Sequence, residues 1–265
     1  MICAGLLALN SADSYAQGCQ IPDSVRGMIP ADAPPAVPYE TRWVTGADGA
    51  SVRLGLGHLH YSDQNPIVDL PPGADDWLQR VILPLSAAPG AAPFAWIAGG
   101  WILTDGATPR PLARGGLIET GYEEPSFVVL ETRPDGWLRL GYAWVDGDFG
   151  TAWTQSCSLS DGPVALEFTE WSTWLLSETI SPLFYRAESP GELRSAPSFG
   201  ATSLREIAGD YILEPLEIRG EWMKVTVKEP SDYCAFELEP SRREGWVRWY
   251  SPERGPLLWY FTRGC

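Results

Sequence analysis

Apolar and polar positions alternate with a period of two in several short runs of the chain. In Trp222-Met223-Lys224-Val225-Thr226-Val227, the residues Met223, Val225 and Val227 fall on one side and Trp222, Lys224 and Thr226 on the other, as in a strand with one face in a core. Such runs are separated by Gly, Pro and Asp. With 27 Gly and 24 Pro, this pattern predicts an all-β protein with many tight turns. Only Glu167 to Ser177 departs from it: apolar residues at 168, 171, 174 and 175 have a period near 3.6, which predicts a short connecting helix.

An internal echo sets the expected organisation. Leu130-Glu131-Thr132-Arg133-Pro134-Asp135-Gly136-Trp137-Leu138-Arg139-Leu140 resembles Leu216-Glu217-Ile218-Arg219-Gly220-Glu221-Trp222-Met223-Lys224-Val225. Each reads as a strand, a charged turn, and a Trp opening the next strand. A further Gly-and-Trp strand follows each, Gly150 to Trp153 in one and Gly245 to Trp249 in the other, so the similarity covers a supersecondary unit. A fainter third copy is suggested where Asp76 to Val81 precedes Phe94 to Gly100. The expected layout is a signal-like segment at 1–16, an extended tail at 17–40, an N-terminal β unit at 41–100 opening with a strand at Thr41 to Val44, a β unit at 101–160, a helical connector at 161–185 and a C-terminal unit at 186–265.

Four elements of the C-terminal unit occur in a familiar order: Leu193-Arg194-Ser195-Ala196-Pro197, Gly209-Asp210-Tyr211-Ile212-Leu213, Gly220-Glu221-Trp222-Met223-Lys224-Val225, and Gly245-Trp246-Val247. This stretch resembles a bacterial SH3-like (SH3b) domain, and the middle unit shares its Gly-Trp strand and the later Gly-x-x-Trp. The resemblance implies tandem small SH3-like β-barrels that bind a cell-envelope component, peptidoglycan or a peptide segment. The insertion from Glu229 to Glu244 and the aromatic tail beyond Trp249 depart from the family pattern.

The apolar run Ile2 to Leu9, followed by small residues at Ser14 and Ala16, reads as an export signal. It lacks a basic leading region, so a start upstream of Met1 is expected. Acylation at Cys19 is a weaker alternative, because Asn10 to Tyr15 separate that residue from the apolar run. Removing residues 1–16 discards Cys3 and leaves Cys19, Cys157, Cys234 and Cys265, an even set suited to disulfides in the periplasm or outside the cell. Cys234 is expected to pair with Cys265 inside the C-terminal unit, which leaves Cys19 for Cys157. No further run is long enough for a transmembrane segment. A formal charge of −15 argues against nucleic acid or anionic lipid as the partner and leaves room for a basic envelope protein.

The candidate ligand-binding residues are Trp222, Trp246, Arg248 and Tyr250. Alternation puts Trp246, Arg248 and Tyr250 on one strand face and Val247 and Trp249 on the other. With the aliphatic side inward, Trp222, Trp246 and Tyr250 stay partly exposed beside Arg248, a flat apolar surface with polar handles that suits peptides or sugar rings. The competing reading packs these rings against a neighbouring unit or the aromatic tail. His58 and His60, at i and i+2 on one strand side, could hold zinc with a third ligand from Asp63, Asp69, Asp75 or Asp76, but no spacing motif selects one; surface histidines are the simpler reading. The serines lack a Gly-x-Ser-x-Gly setting, Gly99-Gly100 and Gly115-Gly116 lack the strand-loop-helix setting of phosphate loops, and adjacent acids such as Glu123-Glu124 face opposite ways on a strand. No cofactor is expected. The function expected is non-catalytic binding, with an acidic adaptor or inhibitor and a metal-dependent hydrolase at His58 and His60 as alternatives.

Overall fold

The computed structural model describes residues 19–32, 34, 54–62, 77–113, 116–121, 124–144, 149–177, 182–186, 191–207, 211–229 and 241–260. The signal-like segment 1–16, the expected strand at Thr41 to Val44, and Cys234 and Cys265 lie outside the described residues. The chain is mostly β, as the alternating runs predict, with few helices.

Ten strands build the first sheet: β1 Gly57–Tyr61, β2 Ile82–Ser86, β3 Pro93–Ala98, β4 Trp101–Leu103, β5 Arg110–Pro111, β6 Leu117–Gly121, β7 Glu124–Thr132, β8 Trp137–Ala143, β9 Phe149–Gln155 and β10 Leu166–Glu170. Their order is β10-β1-β7-β8-β9-β2-β3-β4-β5, with β6 on the edge of β7 that β8 also uses. The expected boundary at residues 100 and 101 falls between β3 and β4, which are hydrogen-bonded neighbours. Alternate residues on one sheet face, among them Leu59, Leu83, Leu85, Ile97, Phe127, Val129 and Leu140, form one core cluster.

The C-terminal sheet has the order β13-β12-β16-β15-β14, from β12 Gly191–Arg194, β13 Ser203–Ile207, β14 Ile212–Arg219, β15 Trp222–Glu229 and β16 Ser241–Arg248. Two small ladders complete the architecture: β11 Phe184–Tyr185 pairs with β19 Leu258–Trp259, and β17 Tyr250–Ser251 pairs with β18 Gly255–Pro256. The echoed segments are both three-stranded meanders, β7-β8-β9 and β14-β15-β16. Small closed barrels are not seen among the described residues: the ten-stranded sheet ends at β10 and β5, and the C-terminal sheet at β13 and β14.

The sheets share a core because β7 is apolar on both faces. Phe127 and Val129 face the first sheet's own core, while Val128 and Leu130 join a cluster with Leu193, Ile207, Leu213, Met223, Val225, Val227 and Val247 of the C-terminal sheet. The unbroken run Phe127-Val128-Val129-Leu130 is what a strand buried on both sides requires.

The helices correct two expectations. Glu167 to Glu170 belong to β10, paired with β1, and only Trp171–Trp174 is helical (α2). Leu166-Glu167-Phe168-Thr169-Glu170 satisfies the period-two pattern as well as the period of 3.6, and the ladder to β1 decides between them. The tail expected to be extended carries a six-residue helix, α1 Asp23–Met28. Ile21 and Val25 bury there against Ile82, Ala98 and Leu103, with Met28, Ile29, Trp96 and Trp101 packed around them.

A disulfide joins Cys19 to Cys157, and the Ile21 amide donates to Asp161 Oδ2 at 2.9 Å. Together these tie the segment entering α1 to the turn after β9. With a sequence separation of 138 between the half-cystines, loop closure in the unfolded chain is worth about 5 kcal/mol in the chain-entropy model. Cys157→Ser is therefore expected to lower the unfolding free energy by about 2–5 kcal/mol. Urea unfolding checks this, and an unchanged midpoint would show that the bridge does not constrain the unfolded chain.

Candidate functional site

The candidate site grows from the outer face of the C-terminal sheet. With Met223, Val225, Val227 and Val247 wholly buried on the inner side, the pleat turns Trp222, Lys224, Trp246 and Arg248 outward. Ladder register sets Trp222 opposite Arg248 and Arg219, and Trp246 opposite Lys224 and Arg194. Each tryptophan thus has cationic cross-strand neighbours. The Arg219 guanidinium lies 5.0 Å from the Trp246 ring centre, within cation-π range.

These two tryptophans are more covered than their alternation suggests: Trp222 is 8% exposed and Trp246 is 7% exposed. The cover comes from outside the strand pair. Phe199, in the turn between β12 and β13, meets Trp222 edge-on at 5.1 Å, and Arg248 lies 5.1 Å from the Phe199 ring centre. Tyr250 packs elsewhere. It sits in β17, 5.2 Å from Trp249, against the core shared by the two sheets.

Of the four candidate residues, Trp222 and Arg248 line a cleft of about 400 Å³, together with Tyr185, Arg194, Phe199, Arg254 and Leu257; Trp246 and Tyr250 do not line it. Arg194 shapes one wall by donating from Nη1 to the carbonyls of Phe199 at 2.7 Å and Ala201 at 2.9 Å, and it pairs with Glu192. Phe199 is thereby held on a pinned turn although it is 63% exposed. Arg248 donates from Nε and Nη2 to Glu221 Oε2, at 3.1 and 2.9 Å. The Tyr185 hydroxyl donates to the Arg248 carbonyl at 3.1 Å, and burial raises its pKa above the usual phenol range. Gly191 lets that ring in, since a Cβ there would stand 2.1 Å from Tyr185.

The other wall depends on the first sheet. Arg254 lies in the turn of the β17-β18 hairpin, and its carbonyl accepts from the Leu54 amide at 3.0 Å. Gly255 has a φ of 81°, and a Cβ there would come within 2.9 Å of the Gly55 carbonyl oxygen. Only glycine fits both the left-handed backbone and the close approach.

Phe199, Tyr185, Arg194, Arg254 and Leu257 escaped the sequence reading. An aromatic residue between Pro197 and Gly200 was the one available signal. Charge is also unevenly spread: residues 1–185 hold 8 Lys and Arg against 21 Asp and Glu, whereas 186–265 hold 11 against 13.

His58 and His60 do lie on one side of β1, with ring centres 4.9 Å apart, but His58 is not on the surface. It is wholly buried, stacked on Trp171 at 4.5 Å and edge-on to Trp174 at 4.7 Å. The helix following β10 closes over it, a consequence that spacing along β1 alone could not reveal. His60 Nδ1 bonds the Tyr61 carbonyl at 2.8 Å and Nε2 bonds Thr169 Oγ1 at 2.9 Å. Among the described residues, no third His, Cys, Asp or Glu completes a metal-binding group; Asp63, Asp69, Asp75 and Asp76 lie outside them. Comparison with protein-family models, curated proteins and solved structures gave no match.

Burial, reinforced by the charge His60 can carry, lowers the His58 pKa well below its ordinary value. Above about pH 6.5 the imidazole is neutral in both the folded and the unfolded chain. As pH falls from there towards the lowered folded-state value, the unfolded chain takes a proton that the folded chain refuses, and stability drops by up to about 1.4 kcal/mol per pH unit. Urea midpoints at pH 7.5 and 5.5 should therefore diverge in the wild type and converge in His58→Phe. Equal divergence in both proteins would assign the dependence to other groups.

Proposed function

We propose that this chain is a non-catalytic recognition protein acting outside the cytoplasm, with a peptide segment of the cell envelope as its ligand. The cleft beside Trp222 carries the reading: Phe199, Tyr185 and Leu257 supply apolar walls, and Arg248 and Arg254 supply charged donors, in a volume of about 400 Å³ that suits a short stretch of ligand. Exposed aromatic area beside arginine is the composition of protein recognition sites. The SH3b-like order of elements from Leu193 to Val247 supports an envelope ligand by analogy, with the stem peptides of peptidoglycan as the first candidate. The Cys19–Cys157 disulfide fits an oxidising compartment, and no helix among the described residues is long and apolar enough to cross a membrane.

A second reading follows from charge. The acidic excess of residues 1–185 would suit a basic envelope protein as partner, and such binding would weaken steeply with salt.

Sedimentation with purified sacculi tests the first reading. Wild type is expected to pellet with them, and Phe199→Ala, which removes an exposed ring and leaves the shared core untouched, is expected to stay in solution. Wild-type protein that never pellets, or a variant that pellets equally well, contradicts the proposal.

A further inference from the structure

The cations around the cleft are not equally engaged. Arg194 is held by Glu192 and two carbonyls, and Arg248 by Glu221. Arg254 is exposed at the cleft margin and makes no side-chain hydrogen bond or ion pair among the described residues. The carboxylate next to it in sequence, Glu253, accepts from the Ser251 hydroxyl and is also attracted by Arg248 and Arg254 without pairing with either. Arg186, half-buried in the segment after β11, donates from Nη1 to the Pro256 carbonyl at 2.7 Å. Burial and the neighbouring charge of Arg254 lower the Arg186 pKa to about 10. Of these two arginines only Arg254 lines the cleft, and with Arg248 it gives the aromatic cavity a cationic rim that favours an incoming anion.

We infer that the cleft holds the free C-terminal carboxylate of a peptide, with Arg254 as its counter-ion and Phe199, Trp222 and Leu257 enclosing the last side chain. This rests on the peptide-binding reading and narrows it. A carboxylate matches the planar fork of a guanidinium. A single negative charge fits better than a polyanion, because Glu192 and Glu221 already neutralise Arg194 and Arg248, and the whole chain carries −15. A terminal α-carboxylate lies one bond from the Cα bearing the last side chain, so both groups fit the same cavity of about 400 Å³. An internal Asp or Glu would bring chain on both sides.

The test uses immobilised full-length protein and degenerate pools of N-acetylated tripeptides in three forms: free acids, C-terminal amides, and amides with an internal Glu. Captured peptides are identified by mass, and affinities are then measured for the captured sequences. Free acids should bind at least tenfold tighter than their amides. Arg254→Ala should lose at least tenfold in affinity with its thermal midpoint unchanged, and Arg254→Lys should recover part of the loss. Amides that bind as well as acids and depend on Trp222 and Phe199 would overturn this inference while leaving the peptide-binding reading standing. Preference for internal Glu, undiminished binding by Arg254→Ala, or displacement by inorganic phosphate at lower concentration than by acetate would also overturn it. Capture of no peptide form would overturn both.

Discussion

Trp171 is where the two sheets meet. Its indole N–H donates to the Leu54 carbonyl at 2.8 Å, its backbone amide donates to the Leu56 carbonyl at 3.0 Å, one ring face stacks on His58, and Trp259 meets it edge-on at 5.1 Å. It is fully buried. A tryptophan can be buried this completely because its one polar atom has a partner, and truncating such a residue to alanine typically costs about 3–5 kcal/mol. Around it, Trp174 donates to the Tyr260 hydroxyl at 2.7 Å, and that hydroxyl donates to the Thr120 carbonyl at 2.9 Å. The aromatic tail is thereby fixed to the first sheet by hydrogen bonds as well as by area. Burial raises the Tyr260 pKa, so the phenol remains a neutral donor.

The cleft inherits its geometry from this seam. Leu54 and Gly55 receive Trp171 on one side and the hairpin bearing Arg254 on the other. The Trp249 indole donates to the Gly220 carbonyl at 2.8 Å, and its amide donates to the Glu221 carbonyl at 3.0 Å, which brings the chain leaving β16 back against the β14-β15 turn. The Leu257 amide then donates to Trp249, closing the path from the C-terminal sheet to the aromatic tail. One wall of the cleft is thus built by local contacts around Phe199, and the other by contact between sheets.

The strand pattern was legible in the sequence because alternation and turn residues are local signals. It identified Met223, Val225, Val227 and Val247 as the buried side of the C-terminal sheet and paired the two echoed meanders, and setting Cys234 with Cys265, which lie outside the described residues, left Cys19 for Cys157, the pair that the structure joins. What alternation could not supply was the cover on each face. Trp222 is roofed by Phe199 from a turn of another hairpin, and His58 is closed in by a helix some 110 residues later in the chain. Glu167 to Glu170 were drawn into a helical pattern because their apolar spacing fits both periods, and only pairing with β1 separates them. The run Phe127 to Leu130 is apolar without alternation because the C-terminal sheet covers its second side.

Amide hydrogen exchange of wild type and Trp171→Leu tests whether the seam joins the two sheets into one cooperative unit. The account predicts that β7 and β15 lose protection together and to a similar degree in the variant, with the turn bearing Arg254 opening alongside them. Wild-type protection of β15 beside a loosened β7 would mean that the C-terminal sheet stands without the seam, and would contradict the account.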